Sequence, residues 1–502
     1  MSLPYSNGLR GVRAAIVVKK PVKADGAKGS RKANRCIHIM KEQYNPKEAR
    51  IEENDLSEEA VYLLKWDTPR QAEEADTPVI SNDQWVWVEG SVWTAKMLKT
   101  LERGVKGGKW YSLIDKVWKI ENLRSAFKRV KANKGAAGVD RQAIAQYEEH
   151  LESNLQWLSE KLKQGSYRTK PIRRCYLEKP GRKKELRPIG IATVRDRIVQ
   201  TALRNVIEPI LENEFAPRSY GFRPQRHQKL ALREICIAFK RGKHWVLDAD
   251  IQGYFDQIDH KILMGKVAQH ISDNRVLELI ELFLKAEVDE NGTLHASEQG
   301  SPQGAVISPL LANLYPNELD WALARQGLTM VRYADDFVVL CDEETQAQQA
   351  KEYIEKWCTE NQLRLHPDKT QIVQVSTRRG IDFLGYHLRT ENKRWVSEKS
   401  RKQFRDKLRP LTARCHGQSL KKTIEKLNPI LRGYFNYYKD TQGSVLEKLD
   451  QLPRRRLRTI IRCNNKRKGN GRGWDNKRYQ IVYFNNLGLF NMEQARLENL
   501  ES

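Results

Sequence analysis

Met330-Val331-Arg332-Tyr333-Ala334-Asp335-Asp336-Phe337-Val338-Val339-Leu340 sets two adjacent carboxylates between apolar runs. Adjacent aspartates repel each other, and an apolar setting sharpens the repulsion. Such a pair persists at a solvated turn, or serves where a divalent cation neutralises it. The flanking runs read as strands, which puts the pair on a tight hairpin over 328–341. Upstream, Val246-Leu247-Asp248-Ala249-Asp250-Ile251-Gln252-Gly253-Tyr254-Phe255 has the complementary form. There an apolar strand ends at a carboxylate, and a glycine and two aromatics follow. Asp248 and Asp250 share a strand face, because side chains repeat every two residues.

Asp250, Asp335 and Asp336 together supply three carboxylates from two strands. That number can bridge a pair of divalent ions about 3.5–4 Å apart, as nucleotidyl transfer requires. Asp248, Asp256 and Asp259 are rivals. Asp250 is preferred because it ends the apolar run just before the aromatic pair, whereas Asp259-His260 reads as the cap of the next helix.

The composition narrows the partner. The chain has 502 residues, a net charge of +26, 39% apolar and 30% charged residues. A pI near 9.6 points to a polyanion. No run of about 20 apolar residues offers itself to a membrane, and no amino-terminal apolar core suggests a signal peptide. Seven scattered cysteines without C-x-x-C spacing fit a reducing compartment and argue against a cysteine zinc site. The expected location is cytoplasmic.

Charge is uneven along the chain. Residues 1–50 carry 12 basic and 3 acidic side chains, and 51–80 reverse this with 9 acidic and 2 basic. The pair reads as a basic arm and an acidic linker, forming an extension over 1–84. Trp85, Trp87, Trp93, Trp110 and Trp118 are expected to anchor the next segment to a larger body. Residues 122–165 read as two amphipathic helices around the turn 134–138. From 171 to 390 short strands alternate with helices, including a helix over 196–213, a strand at Trp245–Asp250 and a helix over 344–361. Pro316 should break the run Leu310–Leu319. Three basic helices are expected at 398–413, 419–439 and 444–463.

Two further stretches suit a nucleotide. Lys179-Pro180-Gly181-Arg182-Lys183-Lys184-Glu185-Leu186-Arg187-Pro188 reads as a hairpin with cations on both arms, able to engage phosphate oxygens. By itself such a run is usually just a solvated face. Gly300-Ser301-Pro302-Gln303-Gly304-Ala305-Val306-Ile307-Ser308-Pro309-Leu310 allows close backbone approach and offers Gln303; it also reads as a helix start at Ser308-Pro309.

In order, these stretches resemble reverse transcriptases, most closely those encoded by bacterial group II introns. The resemblance also runs through Arg187–Gln200, Ser219-Tyr220-Gly221-Phe222-Arg223-Pro224, Leu365-His366-Pro367-Asp368-Lys369-Thr370, Phe383-Leu384-Gly385-Tyr386 and Leu431-Arg432-Gly433-Tyr434-Phe435-Asn436-Tyr437-Tyr438. It covers roughly 85–500. It implies an α+β right-hand polymerase with fingers and palm, followed by an α-helical thumb or maturase domain. The divisions expected are N-terminal helices and fingers over 85–240, palm over 241–392, thumb over 393–465 and a basic tail over 466–502.

The resemblance further implies that Asp250, Asp335 and Asp336 hold two magnesium ions, with the backbone of Ile251 nearby. Lys179 and Arg187 would contact nucleotide phosphates, and Gln303 would line the pocket. Phe255, rather than Tyr254, would gate against a ribose 2′ hydroxyl. Lys369 would protonate pyrophosphate, and Phe383–Tyr386 would grip the primer. The helix after Arg195 would pack the fingers. Gln225-Arg226-His227 departs from the usual small turn and should alter only a loop.

Residues 451–480 hold 11 basic and 1 acidic side chain. Arg454, Arg455, Arg456, Arg458, Lys466, Arg467 and Lys468 are candidate RNA contacts, with Trp474, Tyr479 and Tyr483 beside them for stacking. The partners implied are group II intron RNA, a DNA target and primer strand, and deoxynucleoside triphosphates; oligomeric state is left open. The tail lacks the paired cysteines and histidines of an H-N-H endonuclease, so priming from a 3′ end made elsewhere is expected. Two alternatives stay open: a domesticated, intron-free reverse transcriptase in phage defence or repair, and a non-catalytic RNA-binding splicing cofactor.

Overall fold

The computed structural model describes residues 85–501 apart from 106, 180, 181, 391, 392, 415, 416, 442, 468 and 470–472. The basic arm and acidic linker lie outside the described residues. All described residues belong to the unit Ser81–Ser502.

The strands are β1 (Ile172–Lys179), β2 (Arg182–Ile191), β3 (Trp245–Asp250), β4 (Val288–Glu290), β5 (Thr293–His295), β6 (Thr329–Tyr333), β7 (Asp336–Cys341), β8 (Gln371–Gln374), β9 (Ile381–Phe383), β10 (Tyr386–Leu388) and β11 (Arg394–Val396). They form three sheets, ordered β2-β1-β4-β5, β6-β7-β3-β8 and β11-β10-β9. Helices separate and cover them, so the architecture is α+β.

The middle sheet explains the near-continuous apolar reading of its strands. Leu247, Phe337, Val339 and Cys341 enter one apolar cluster, with Ile198, Val206, Leu311 and Ile354. Val246, Val331, Val338 and Leu340 enter another, with Phe383, Phe404, Leu431 and Phe435. Alternate side chains point to opposite faces, so a sheet buried on both faces must be apolar at consecutive positions.

The helix Val194–Glu214 runs through the first cluster with most of its residues buried. Thr193 caps it by accepting from the Asp196 amide. Asp196 in turn accepts from Tyr167 Oη at 2.6 Å, which fits fingers packing. Trp85 and Trp93 are buried, and Trp93 Nε1 donates to the Asn205 carbonyl at 3.0 Å. Pro316 ends the helix Ser308–Leu314 and precedes Asn317–Arg325. The basic helices fall at Glu398–Leu411, Leu420–Tyr438 and Gly443–Asn464.

One expectation needs correcting. Residues 122–165 contain three helices, Ile120–Ala132, Ile144–Glu149 and Leu151–Gln164. His150 breaks the second run at φ −121, ψ 36, and Asn154 Nδ2 takes up the Tyr147 carbonyl at 3.0 Å. A single-residue break leaves the apolar spacing nearly intact, which is why periodicity merged the two.

Candidate active site

β3 lies between β7 and β8, antiparallel to both, and its register sets Asp250 directly opposite Asp336. β6 and β7 close at Tyr333↔Asp336, leaving Ala334 and Asp335 as the turn. The three candidate carboxylates therefore gather at one end of the sheet. Ala334 adopts φ +62, a left-handed conformation strained for a residue with a Cβ. Gly221 packs against this turn so closely that a Cβ would collide with the Ala334 amide nitrogen.

The electrostatics are those of a site short of positive charge. Burial, then repulsion by Asp248, Asp250 and Asp335, pushes the Asp336 carboxyl up to about 7, against Lys399. Burial also pushes Asp248 up to about 6, although its bond from Gln371 opposes the shift. Asp335 is raised by burial and by Asp250, while Arg187 and Lys369 pull it back. Lys369 Nζ lies 2.5 Å from Asp250 Oδ2 as its counter-ion. Among the described residues, no three such side chains form a ready metal cage. The donor set, hard carboxylate oxygens that resist shared ionisation, nevertheless fits a divalent cation.

Asp248 is the weaker rival because Gln371 Nε2 already donates to it at 3.3 Å. The Ile251 side chain is buried, so only its main chain can serve a ligand. Its bridge to Leu365 is made by Gln252 N to Arg364 O and His366 N to Asp250 O, and neither bond uses the Ile251 carbonyl. These bonds also fix the loop that carries Lys369.

The nucleotide candidates lie on segments joined to one another by backbone bonds, and Arg187 acts on the Asp335 charge. β1 and β2 form the expected hairpin, with Leu177 opposite Arg187 and Lys179 opposite Arg182. Arg187 is exposed; the Lys179 side chain lies outside the described residues. Gln303 is half-buried. Its carbonyl accepts from Gly190 N at 2.7 Å, tying its loop to β2. Gly304 sits at φ +111, where a Cβ would strike the Gly190 carbonyl, so this contact demands glycine. Phe255 is half-buried, and its carbonyl accepts from Ser301 N at 2.7 Å. Tyr254 is buried and donates to the Ala312 carbonyl, which leaves Phe255 as the aromatic with surface to offer.

The turn between β9 and β10 is clamped from the helical side. Tyr437 Oη donates to the Leu384 carbonyl at 2.9 Å. Ser400 Oγ and Ser397 N donate to the Gly385 carbonyl at 3.1 and 3.0 Å. The Leu431–Tyr438 stretch thus braces the candidate primer grip. The departing turn at Gln225 sits at φ +57, a conformation that glycine adopts more easily.

The basic helix corrects several candidate RNA contacts. Arg454 is 6% exposed and lies in the field of Asp450. Arg456 donates to Thr412 Oγ1, and to the Arg409 and Thr412 carbonyls at 3.2 Å, closing the end of Glu398–Leu411. Arg458 donates to the Tyr479 carbonyl at 2.9 Å and stacks on Phe484. Arg456 and Arg458 tie this helix to its neighbours, and Arg454 is buried along it. Arg455, Lys466 and Arg467 are exposed; Lys468 lies outside the described residues.

Two features escaped the sequence reading. Lys399 acts on Asp336 from a helix more than sixty residues downstream, and no local pattern marks it. Arg332, one residue before Tyr333, is 1% exposed; a cation inside an apolar strand was a signal that it had a dedicated partner.

Two parts of the chain match known families. Residues 177–388 match the family described as reverse transcriptase (RNA-dependent DNA polymerase). Residues 401–480 match the group II intron maturase-specific domain. Protein YkfC of Escherichia coli strain K12 is 35% identical over 320 residues, 55% of this chain and 82% of that protein. The group II intron-encoded protein LtrA of Lactococcus lactis is 41% identical over 198 residues, 39% of this chain and 32% of LtrA. A putative COX1/OXI3 intron 1 protein of Saccharomyces cerevisiae is 33% identical over 164 residues, 32% of this chain and 19% of that protein.

Proposed function

Because this chain belongs to the family of group II intron reverse transcriptases that carry a maturase domain, we propose that it copies RNA into DNA at Asp250, Asp335 and Asp336 and binds its intron RNA as a splicing maturase. The observation that carries the polymerase reading is the register pairing of Asp250 with Asp336, with Asp335 on the adjoining turn. Two magnesium ions held there, with the Ile251 carbonyl beside them, would activate a primer 3′ hydroxyl and stabilise departing pyrophosphate.

The chain's own groups do the rest. The carboxylates orient the reacting end of the primer. Arg187, with Lys179 on the partner strand, meets the triphosphate of an incoming deoxynucleotide. Phe255 crowds the sugar and excludes a 2′ hydroxyl, and Gln303 faces the nucleotide. Lys369 holds a proton on Nζ beside Asp250 and passes it to pyrophosphate. The primer strand lies on the β9–β10 turn, and exposed Arg455, Lys466 and Arg467 meet intron RNA phosphates.

Primer extension by the purified chain on an RNA template tests this. DNA synthesis should require magnesium and cease on Asp335→Ala, while RNA affinity persists. Absence of extension with magnesium, alongside supported intron splicing, would leave only the maturase half.

A further inference from the structure

Arg332 is buried in β6 immediately before the hairpin turn. A cation survives there only if its charge and all five N–H donors are met. Its Nε donates to both Asp320 carboxylate oxygens at 2.9 and 3.0 Å. Nη2 donates to Asp320 Oδ2 at 2.6 Å and to the Asn313 carbonyl at 3.3 Å. Nη1 donates to Asn313 Oδ1 and to the Ala334 carbonyl, both at 3.1 Å. Asn313 Nδ2 extends the network to the Gly221 carbonyl at 2.6 Å, and Gly221 presses on the Ala334 amide. Ala334 is the strained residue at φ +62 that aims Asp335 and Asp336.

The geometry points to Arg332 as a positioning residue. It pins the Ala334 carbonyl, with Asp320 and Asn313 as its mounts, and so sets the carboxylates for their metal ions. An arginine kept only to neutralise Asp320 would have no need of a donor on the turn. The inference rests on the polymerase reading for its kinetic consequences, but its metal-binding consequence stands apart from them.

Arg332→Lys tests it, because lysine keeps the charge and loses the planar fork that reaches Asp320 and Ala334 together. Manganese affinity is read by electron paramagnetic resonance, on protein holding a dideoxy-terminated primer, RNA template and deoxynucleotide. Magnesium dependence of extension, RNA affinity and urea unfolding are read beside it. A folded variant should lose about tenfold or more in metal affinity and in kcat, with deoxynucleotide KM and RNA affinity within about twofold. Wild-type metal affinity in folded Arg332→Lys overturns the inference, as does a loss that only tracks the unfolded fraction.

If Arg332→Lys does not fold, Asn313→Ala decides, since it keeps the Arg332–Asp320 pair and removes one mount. A smaller loss of metal affinity supports the inference, and an unchanged affinity overturns it. Should the wild-type chain bind manganese but extend no primer, the polymerase reading fails alone and the manganese comparison still judges Arg332.

Discussion

Two clusters of like charge lie in separate parts of the folded unit, one on the central sheet and one on the basic helix Gly443–Asn464, and they behave differently. At the end of β3 and β7, Asp248, Asp250, Asp335 and Asp336 crowd together with few protein cations to answer them, and the carboxyl of Asp336 is pushed up to about 7 by burial and by its neighbours. On the helix Gly443–Asn464, Arg454, Arg455 and Arg456 are just as crowded in sequence. There the protein answers two of the three: Asp450 faces Arg454, and Thr412 with the Arg409 carbonyl receives Arg456. Crowded charge marks a ligand site where the fold withholds partners. Where the fold provides them, the same crowding is packing.

The contrast can be broken at either end. Asp335→Ala should lower DNA synthesis on the order of a thousandfold, the upper range for removing one electrostatic group at a reacting centre, with RNA affinity nearly unchanged. An RNA affinity that fell equally far in a filter-binding assay would make Asp335 a folding residue. Gly221→Ala comes next: its Cβ would displace the Ala334 amide, and a misplacement of about 1 Å costs roughly a hundredfold in kcat. Steady-state kinetics with unchanged RNA binding checks this.

The basic end should respond in stability before binding. Arg456→Ala should cost about 2 kcal/mol in urea unfolding, through its lost charged hydrogen bonds to the end of Glu398–Leu411. Arg455→Gln, on the exposed face, should leave stability within about 0.5 kcal/mol and reduce the slope of log affinity against log salt by roughly one. If Arg455→Gln destabilised the fold and Arg456→Ala changed only the salt slope, the assignment of packing and surface roles would be reversed.

Much of the candidate site was legible because its signals are local. The hairpin at 328–341, the strand at Trp245–Asp250 and the break at Pro316 each follow from periodicity, turn chemistry or the proline ring, and each matches the structure to within a residue or two. The misreading of Arg454 had a remedy within reach: it lies three residues before Leu457 and seven before Ile461, on the face that turns inward. Charge counting ignored that phase. Arg332 was visible as an odd cation in an apolar strand, but all its acceptors except the Ala334 carbonyl come from the helices Ser308–Leu314 and Asn317–Arg325, which no local rule connects to it.

Residue order alone therefore determined that carboxylates end two apolar strands, that cations flank them, and that a basic helical region follows, because those properties depend on neighbours a few positions apart. The tertiary structure decided which charges lack partners. Asp250 faces Asp336 only through strand register, the charge of Lys399 acts on Asp336 only because a later helix docks nearby, and Arg332 closes on Ala334 only inside a network assembled from β6, two helices and the Gly221 turn. The energy of a buried charge depends on what surrounds it in space, and that environment exists only once the chain has folded.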